Sequence, residues 1–215
     1  MIWAAGDLKA LDQRYRATLL NSLAGVRPAV LVGTSDADGA HNVAVFNSGI
    51  HIGADPALYG LLFRPTTVDR HTLENIEATG WYSVNYMPAA LFRQVHQTSA
   101  KYERGVSEFA AAGLTPVTDP AAPAPMVSEA MVRLLLRRES SMVIPANGTI
   151  LLIGSIQKLF IPDESVATDG YVSYQQADIL CSAGLDGYCR AVELGRLPYA
   201  RPGQEQLVLN AEVRC

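Results

Sequence analysis

The chain has 215 residues, of which 49% are hydrophobic, so it can bury enough apolar surface to offset the entropy of ordering, and disorder is not expected. Its 17 basic and 21 acidic side chains give a net charge of −4, which offers no electrostatic reason to expect a nucleic acid or an anionic membrane as a partner. No apolar run reaches the ~18–20 residues that a membrane-spanning helix needs.

The N-terminal segment predicts a helix. Within Leu8–Ala24, apolar residues recur every four positions, which is the spacing of one helical stripe, and Gly25 supplies a stop. The stripe consists of Leu11, Tyr15, Leu19 and Leu23. Met1–Ala10 lacks the basic start and long apolar stretch of a signal peptide.

Three strands are predicted next. Pro28–Ser35 and His41–Ser48 are joined by the turn sequence Asp36–Gly39, and this pattern indicates a β-hairpin. Apolar and polar residues alternate only loosely in the second strand, so we expect both of its faces to be covered. Ala57–Arg64 predicts a further strand that is apolar until its last residue.

Helices and one strand follow. Asp69–Ala78 has helical spacing, with Gly80 just beyond its end. Trp81–Met87 is rich in aromatic and β-branched residues, which favour a strand. Ala89–Ala100 and Ser107–Ala112 predict short helices.

The last predicted elements are two long strands, Val127–Arg137 and Gly148–Phe160, with a turn between them. Before them, the proline-rich Asp119–Pro125 is interpreted as a stiff surface connection. The chain from Gly184 onward is weakly patterned. Strands and helices do not alternate regularly, which disfavours a doubly wound parallel sheet and favours an antiparallel barrel or sandwich in a single domain over 1–215.

Several common sites are absent from the sequence. It contains no GxGxxG or GxxxxGK[ST] loop and no GxSxG elbow. The four histidines lack the paired spacing of metal ligands, so no metal site is predicted. The odd cysteine count (Cys181, Cys189 and Cys215) and its spacing fit no disulfide framework, which points to a reducing, cytoplasmic compartment.

Small and polar residues follow the second strand. Asn47 and Ser48 offer hydrogen-bond donors and acceptors, and Gly49 permits close approach of the backbone to a ligand. The same residues are also typical of an ordinary turn at a strand end. Both interpretations stay open on this pattern alone.

Two arginines and three threonines precede or open the helix near residue 70. A helix N-terminus exposes free N–H groups and partial positive charge, and arginine and threonine add donors that suit a phosphate. Alternatively, a threonine or Asp69 caps the helix and the arginines are solvated. The residues are Arg64, Thr66, Thr67, Arg70 and Thr72.

Two weaker candidates lie further along the chain. Asn85 is a polar amide in an apolar strand, so it either contacts a ligand or packs against a loop. The loop that contains Ser99 and Tyr102 could cover a bound ring, or it could be a solvated connection between helices.

The pattern as a whole resembles the flavin reductase-like, FMN-binding split-barrel proteins, which include flavoredoxin. Asn42–Ser48 (NVAVFNS), with His51 and Pro56, is similar to the strand-and-loop element of that family. Further matches keep the family's order over roughly residues 27–160. They are Arg64-Pro65, Thr72–Ile76, Thr79-Gly80, Val84-Asn85, Tyr102, Gly105, Ser107–Phe109, Ala112–Leu114, Ala124-Pro125 and Glu129-Ala130.

The resemblance implies a mainly β fold, a six-stranded antiparallel Greek-key split barrel with a few peripheral helices. It implies a core barrel at 27–160, with the N-terminal helix at 1–26 and a C-terminal extension at 161–215. It also implies a homodimer that binds flavin near the subunit interface.

The resemblance further implies roles for the candidate residues. Asn47, Ser48 and Gly49 would line the isoalloxazine ring or ribityl chain, and Asn85 would contact the flavin or shape its pocket. Ser99 and Tyr102 are additional candidates. The phosphate end would consist of Arg64, Thr66, Thr67, Arg70 and Thr72.

The implied function is that of an FMN-dependent oxidoreductase, with FMN preferred to FAD and NAD(P)H as co-substrate. Hydride transfer is chemistry of the cofactor, which agrees with the missing catalytic triad, and no catalytic residue is predicted. Two alternatives stay open. One is a flavin-binding electron carrier or store without turnover, and the other is a structural dimer without cofactor.

Overall fold

The computed structural model describes residues 2–65, 70–103 and 105–203. The α-helices in these ranges are α1 (Ala5–Ala10), α2 (Gln13–Leu23), α3 (His71–Thr79), α4 (Phe92–Gln97) and α5 (Glu108–Ala112). The strands are β1 (Val26–Pro28), β2 (Val30–Ser35), β3 (His41–Phe46), β4 (Gly49–Ala54), β5 (Ala57–Phe63), β6 (Trp81–Tyr86), β7 (Pro116–Asp119), β8 (Ala122–Val127), β9 (Val132–Ile144), β10 (Thr149–Phe160), β11 (Leu180–Ala183) and β12 (Gly187–Arg190).

Seven strands form one antiparallel sheet in the order β3-β2-β6-β9-β10-β5-β4. Its two edge strands, β3 and β4, are consecutive in the chain and separated only by Asn47 and Ser48, so the sheet curls until its edges approach each other. Near this junction the Leu62 N–H donates to the Ser48 carbonyl at 3.3 Å, and Ser48 Oγ donates to the Leu62 carbonyl at 2.8 Å. The sheet is therefore a barrel that is split between β3 and β4.

This architecture confirms the prediction of a mainly β, antiparallel split barrel with a few helices. The predicted number of strands is wrong, because the main sheet has seven strands and not six. The strand of the main sheet that the sequence did not predict is β4. It is an edge strand whose Ile50 and Ile52 are 43% and 37% exposed, so its sequence lacks the apolar signal of a buried strand.

Both faces of the central strands are covered. Val30 and Val32 of β2 point into the barrel interior, whereas Leu31 points outward and packs in a second cluster with Met87 and Phe109. The outer cluster includes residues of α4 and α5. β3 is covered in the same way, as its loose alternation predicted.

The predicted N-terminal helix is two helices. Asp12 interrupts it, because its carboxylate accepts hydrogen bonds from the N–H groups of Arg14 and Tyr15 at 2.9 and 3.0 Å and so caps α2. None of the residues of α2 is fully buried, and Leu23 is 73% exposed.

The proline-rich segment is a hairpin, β7–β8, and not the predicted surface connection. Ala122 and Ala124 of β8 are buried, and the carbonyls of its prolines accept hydrogen bonds from Ser35 and Ser83. Because β8 takes Val127, the long strand that was predicted from that residue begins later, at the start of β9.

A second, three-stranded sheet has the order β1-β11-β12. It joins two distant parts of the chain, since Arg27 of β1 is opposite Ser182 of β11. Among the helices of the described ranges, none has the length and apolar character needed to span a membrane.

Candidate functional site

A cleft of about 830 Å³ lies along the split in the barrel. Its walls are the open edge of β3, the end of β5, the start of α3, the loop at 98–103 and the β11–β12 hairpin. This volume falls within the range that is usual for small-molecule and cofactor sites.

The structure brings most of the predicted site residues to this cleft. Those that line it are Asn47, Ser48, Arg64, Arg70, Thr72, Ser99 and Tyr102. Gly49 and Asn85 do not line it, and Thr66 and Thr67 lie outside the described residues.

The start of α3 forms one end of the cleft. Arg70 is the N-cap residue, and its own side chain makes no capping hydrogen bond, whereas its N–H donates to the Glu74 carboxylate at 3.0 Å. The Arg70 guanidinium donates from one terminal nitrogen to the Pro65 carbonyl at 3.4 Å, whereas its Nε is buried and has no partner in the part of the chain that the structure describes. These donors and the helix dipole make this end of the cleft suited to an anion.

A buried polar network holds Thr72 in position at this end. The Asn42 amide of β3 donates to the hydroxyl oxygens of Thr72 and Thr34 at 3.2 and 3.3 Å. Asn75, on the same helix as Thr72, also donates to Thr34, at 3.1 Å. The Thr72 hydroxyl accepts a bond in this network and donates to none of the described residues, so its proton can serve a ligand in the cleft.

The middle of the cleft borders the open edge of β3. The Val43 N–H points away from β2, because it donates to the Glu108 carboxylate at 3.4 Å. Neighbouring strand residues direct their backbone groups to opposite edges, so the N–H and C=O of Val45 also face the open edge. Val45 lines the cleft, and among the described strands none pairs with this edge.

Asn47 and Ser48 fix the junction of β3 and β4. The Asn47 amide donates to the Gly184 carbonyl at 2.8 Å, which ties the junction to the β11–β12 hairpin. One N–H of that amide and its oxygen remain available to a ligand. Ser48 bonds to Leu62 as described above, and its oxygen can still accept.

The loop at 98–103 closes one side of the cleft. The Tyr102 hydroxyl accepts a hydrogen bond from Gln97 at 2.7 Å, and Ser99 and Lys101 line the cleft beside it. This loop therefore borders the cleft, and its role as a cover for a bound ring stays a prediction.

The glycine at position 49 is explained by packing within the protein, without a ligand. A Cβ at this position would overlap the hydroxyl of Tyr59, on the neighbouring strand β5. The close approach that favours glycine here is therefore that of a tyrosine side chain. Burial raises the pKa of Tyr59 to about 12, so this hydroxyl stays protonated.

Asn85 is fully buried and lies outside the cleft. Its amide donates to the Leu31 carbonyl and to the Ser83 hydroxyl, both at 2.9 Å, and its oxygen accepts from the Val127 N–H at 2.9 Å. The prediction of a flavin contact is corrected here, because Asn85 links β2, β6 and β8 and keeps no donor for a ligand.

Several residues of the cleft were not predicted from the sequence. Arg27, Glu108, Ser182 and Tyr188 all line it. Arg27 and Tyr188 lie on different strands of the small sheet, whose pairing joins distant parts of the chain and leaves no local pattern. Ser107–Phe109 was noticed in the sequence, but no chemical role was assigned to it.

Comparisons with known proteins agree with this architecture. A family model described as a flavin reductase like domain matches residues 25–177. A solved structure of a presumed flavin reductase with a split barrel domain, from Shewanella frigidimarina, is 40% identical and has a TM-score of 0.89, with 93% of this chain and 100% of that chain covered.

Two other solved structures share the fold at low identity. Nitrilotriacetate monooxygenase component B from Bacillus cereus has a TM-score of 0.81 at 19% identity, over 92% of this chain and 98% of that one. Flavoredoxin of Desulfovibrio vulgaris has a TM-score of 0.71 at 21% identity, over 83% and 93%. The family model and the relative at 40% identity each cover most of the chain, which therefore belongs to the flavin reductase-like family of split-barrel proteins.

Proposed function

We propose that this protein is an FMN-binding oxidoreductase that accepts hydride from NADH or NADPH and passes the electrons to a further acceptor. The observation that carries the proposal is the Nε of Arg70 at the start of α3, which lines the cleft and is buried with no partner among the described residues. A phosphate supplies acceptors for the helix N–H groups and for the guanidinium together. FMN has such a phosphate, and Thr66 and Thr67 stay predicted contacts of it.

The middle of the cleft is suited to bind a planar ring beside the phosphate end. A flavin ring has carbonyl oxygens and an N–H group along one edge, and the open N–H and C=O of Val45 complement such an edge. Asn47 and Ser48 add side-chain donors and acceptors at the same place. FMN is favoured over FAD, because the donors at α3 suit a terminal phosphate group.

In this proposal, residues of the chain bind the flavin and orient its ring. The bound flavin would supply the hydride chemistry itself. Arg70, Thr72 and the start of α3 hold the phosphate, while Asn47 and the edge of β3 orient the ring. The aromatic side chain of Tyr188 walls the cleft and reduces access of water to it.

The first test is spectroscopic. The purified protein is expected to be yellow, and NADH or NADPH added without oxygen should bleach the flavin absorption within seconds. A yellow protein that keeps its colour with both nucleotides would instead be the electron carrier or store, because that alternative requires bound flavin without turnover.

Thermal unfolding tests the cofactor-free alternative. A ligand at ~100 times its dissociation constant stabilises the folded state by roughly 2.7 kcal/mol, so excess FMN should raise the melting temperature of the apoprotein clearly. A colourless protein whose melting temperature does not respond to FMN would favour a structural dimer that has no cofactor.

We also propose that the protein is a homodimer. Met142, Leu151 and Leu62 lie opposite one another on β9, β10 and β5, and Ile153 and Ile50 extend the same outer face. Met142 is 56% exposed, and Leu62 lines the cleft. A second copy seated on this apolar face would also cover the open side of the cleft.

A cytoplasmic location fits the cysteines. Cys181 and Cys189 are directly opposite on β11 and β12, yet both are free thiols. Opposed free thiols suit a reducing compartment, which supports the proposal of a cytoplasmic protein.

A further inference from the structure

Three side chains form a row across the small sheet and face the cleft. Arg27 is opposite Ser182, and Ser182 is opposite Tyr188, so the three side chains share one face of β1, β11 and β12. All three line the cleft. We call them the Arg27 row.

The Arg27 row contains buried polar atoms without partners. Arg27 Nε and Ser182 Oγ are both buried and form no hydrogen bond within the described protein. Ser182 is only 5% exposed, so water has little access to supply the missing hydrogen bonds. A buried polar atom without a partner is costly, and two such atoms side by side in a cleft indicate that a ligand completes the site.

The chemistry of the row specifies an anion. The Arg27 guanidinium offers only donors, and no carboxylate forms an ion pair with it in the described chain. Ser182 adds a hydroxyl that can donate to the same acceptor. An arginine fork beside a hydroxyl matches the oxygens of a phosphate or a carboxylate.

Tyr188 gives the row an aromatic border. Its hydroxyl lies 3.0 Å from His96 Nδ1, and its ring packs against Phe92, with 6.0 Å between the ring centroids. Burial raises the pKa of the Tyr188 hydroxyl, so it stays neutral. The side chain is thus held in place and adds no negative charge that would repel an anion.

The row is separate from the phosphate end of the cleft. It lies on β1, β11 and β12, whereas the anion end described above is formed by α3 and the end of β5. Ser182 and Tyr188 also lie beyond residues 25–177, the part that matches the family model. The row is therefore partly a feature of the C-terminal extension.

We propose that the Arg27 row binds the anionic group of the second ligand, the one that exchanges electrons with the flavin. This inference rests on the proposed function. The anionic group is a phosphate if that ligand is the nicotinamide nucleotide, and a carboxylate if it is an aromatic acid that accepts electrons. Both share the charged oxygens that Arg27 and Ser182 can bind.

Binding measurements on the FMN-loaded protein test this proposal. Arg27→Met keeps the apolar stem but removes the charge, and Ser182→Ala removes the hydroxyl. NADP⁺, NAD⁺ and benzoate are titrated separately by calorimetry, which needs no turnover. We expect Arg27→Met to weaken at least one of them roughly 10–100-fold and Ser182→Ala about 3–10-fold, while FMN affinity stays within about twofold.

Control variants and separate ligands distinguish a phosphate from a carboxylate as the bound anion. Arg27→Lys should restore part of the lost affinity, and Arg137→Met, an exposed arginine of β9 outside the cleft, should change nothing. If only nucleotide binding is lost, the bound anion is a phosphate. In that case N-benzyl dihydronicotinamide, which has no phosphate, should reduce the flavin at an unchanged rate. Loss of benzoate binding alone assigns a carboxylate.

Two results would overturn the proposal. One is that Arg27→Met binds all three anions as the wild type does, and the other is that it loses FMN as strongly as an Arg70 variant. A wild-type protein that binds no FMN would contradict the proposed function instead, and this outcome is seen before any variant is made.

Discussion

In the proposed function, Arg70 is the described residue that contributes most to the phosphate end of the cleft. Replacing it by methionine removes the charge and the buried Nε, so Arg70→Met should weaken FMN roughly 10–100-fold, the range expected for a hydrogen bond between charged groups. Riboflavin lacks the phosphate, and its affinity should change less than about twofold. Arg64→Ala should act in the same direction but more weakly, because Arg64 is exposed.

Fluorescence titration of the apoprotein with each flavin measures these affinities. Arg137→Met serves as the matched control, since this arginine packs over Trp81 away from the cleft. Equal losses for FMN and riboflavin would remove Arg70 from the phosphate role.

Gly49 tests a packing argument at the same scale. The added methyl group of Gly49→Ala would overlap the Tyr59 hydroxyl, and such overpacking typically costs about 1–3 kcal/mol of unfolding free energy. Removing the hydroxyl with Tyr59→Phe should reduce that cost by at least half. Urea denaturation of the four proteins of this cycle gives the values, and an undiminished cost in the Tyr59→Phe background would show that the hydroxyl is not the obstacle.

Asn85 shows how one side chain joins elements. It bonds to β2, β6 and the end of β8, so Asn85→Leu leaves buried partners unsatisfied on all three strands. We expect a loss of roughly 2–4 kcal/mol in unfolding free energy. The folded fraction should keep its FMN affinity, measured by fluorescence quenching. A stable variant with weakened FMN binding would return Asn85 to the flavin site.

Elements with a strong local signal could be predicted from the sequence, whereas others could not. The helix that became α3 was recognised from its spacing, and the left-handed Gly80 ends it as predicted. The edge strand β4 was missed because exposed residues follow no burial pattern. The β8 strand was missed because its prolines suggest a loop, although serines from β2 and β6 bond their carbonyls.

The site follows the same division. Arg70 and Thr72 are close in sequence, so their spacing at a helix start could be recognised. Arg27 and Ser182 are brought together only by the pairing of β1 with β11, and no local sequence pattern predicts that pairing. Asn85 was a correct choice as an unusual polar residue, but only its three partners distinguish packing from ligand contact.

For the whole molecule, the apolar face beside the cleft predicts assembly. Sedimentation equilibrium should give twice the chain mass of 23.1 kDa. A charge on this face should shift the equilibrium towards monomers, so Met142→Glu is expected to raise the dimer dissociation constant at least about tenfold. Leu194→Glu, at a residue that is 98% exposed in the C-terminal segment, is the control. A monomeric wild type would contradict the proposed dimer.

The central claim is that the cleft along the split holds FMN with its phosphate at the start of α3. A crystal structure of the complex with FMN tests it most directly. The account predicts phosphate oxygens within hydrogen-bond distance of Arg70 and the first-turn N–H groups of α3, with the ring against Asn47 and the open edge of β3. FMN bound elsewhere, or with its phosphate turned away from α3 into solvent, would contradict it.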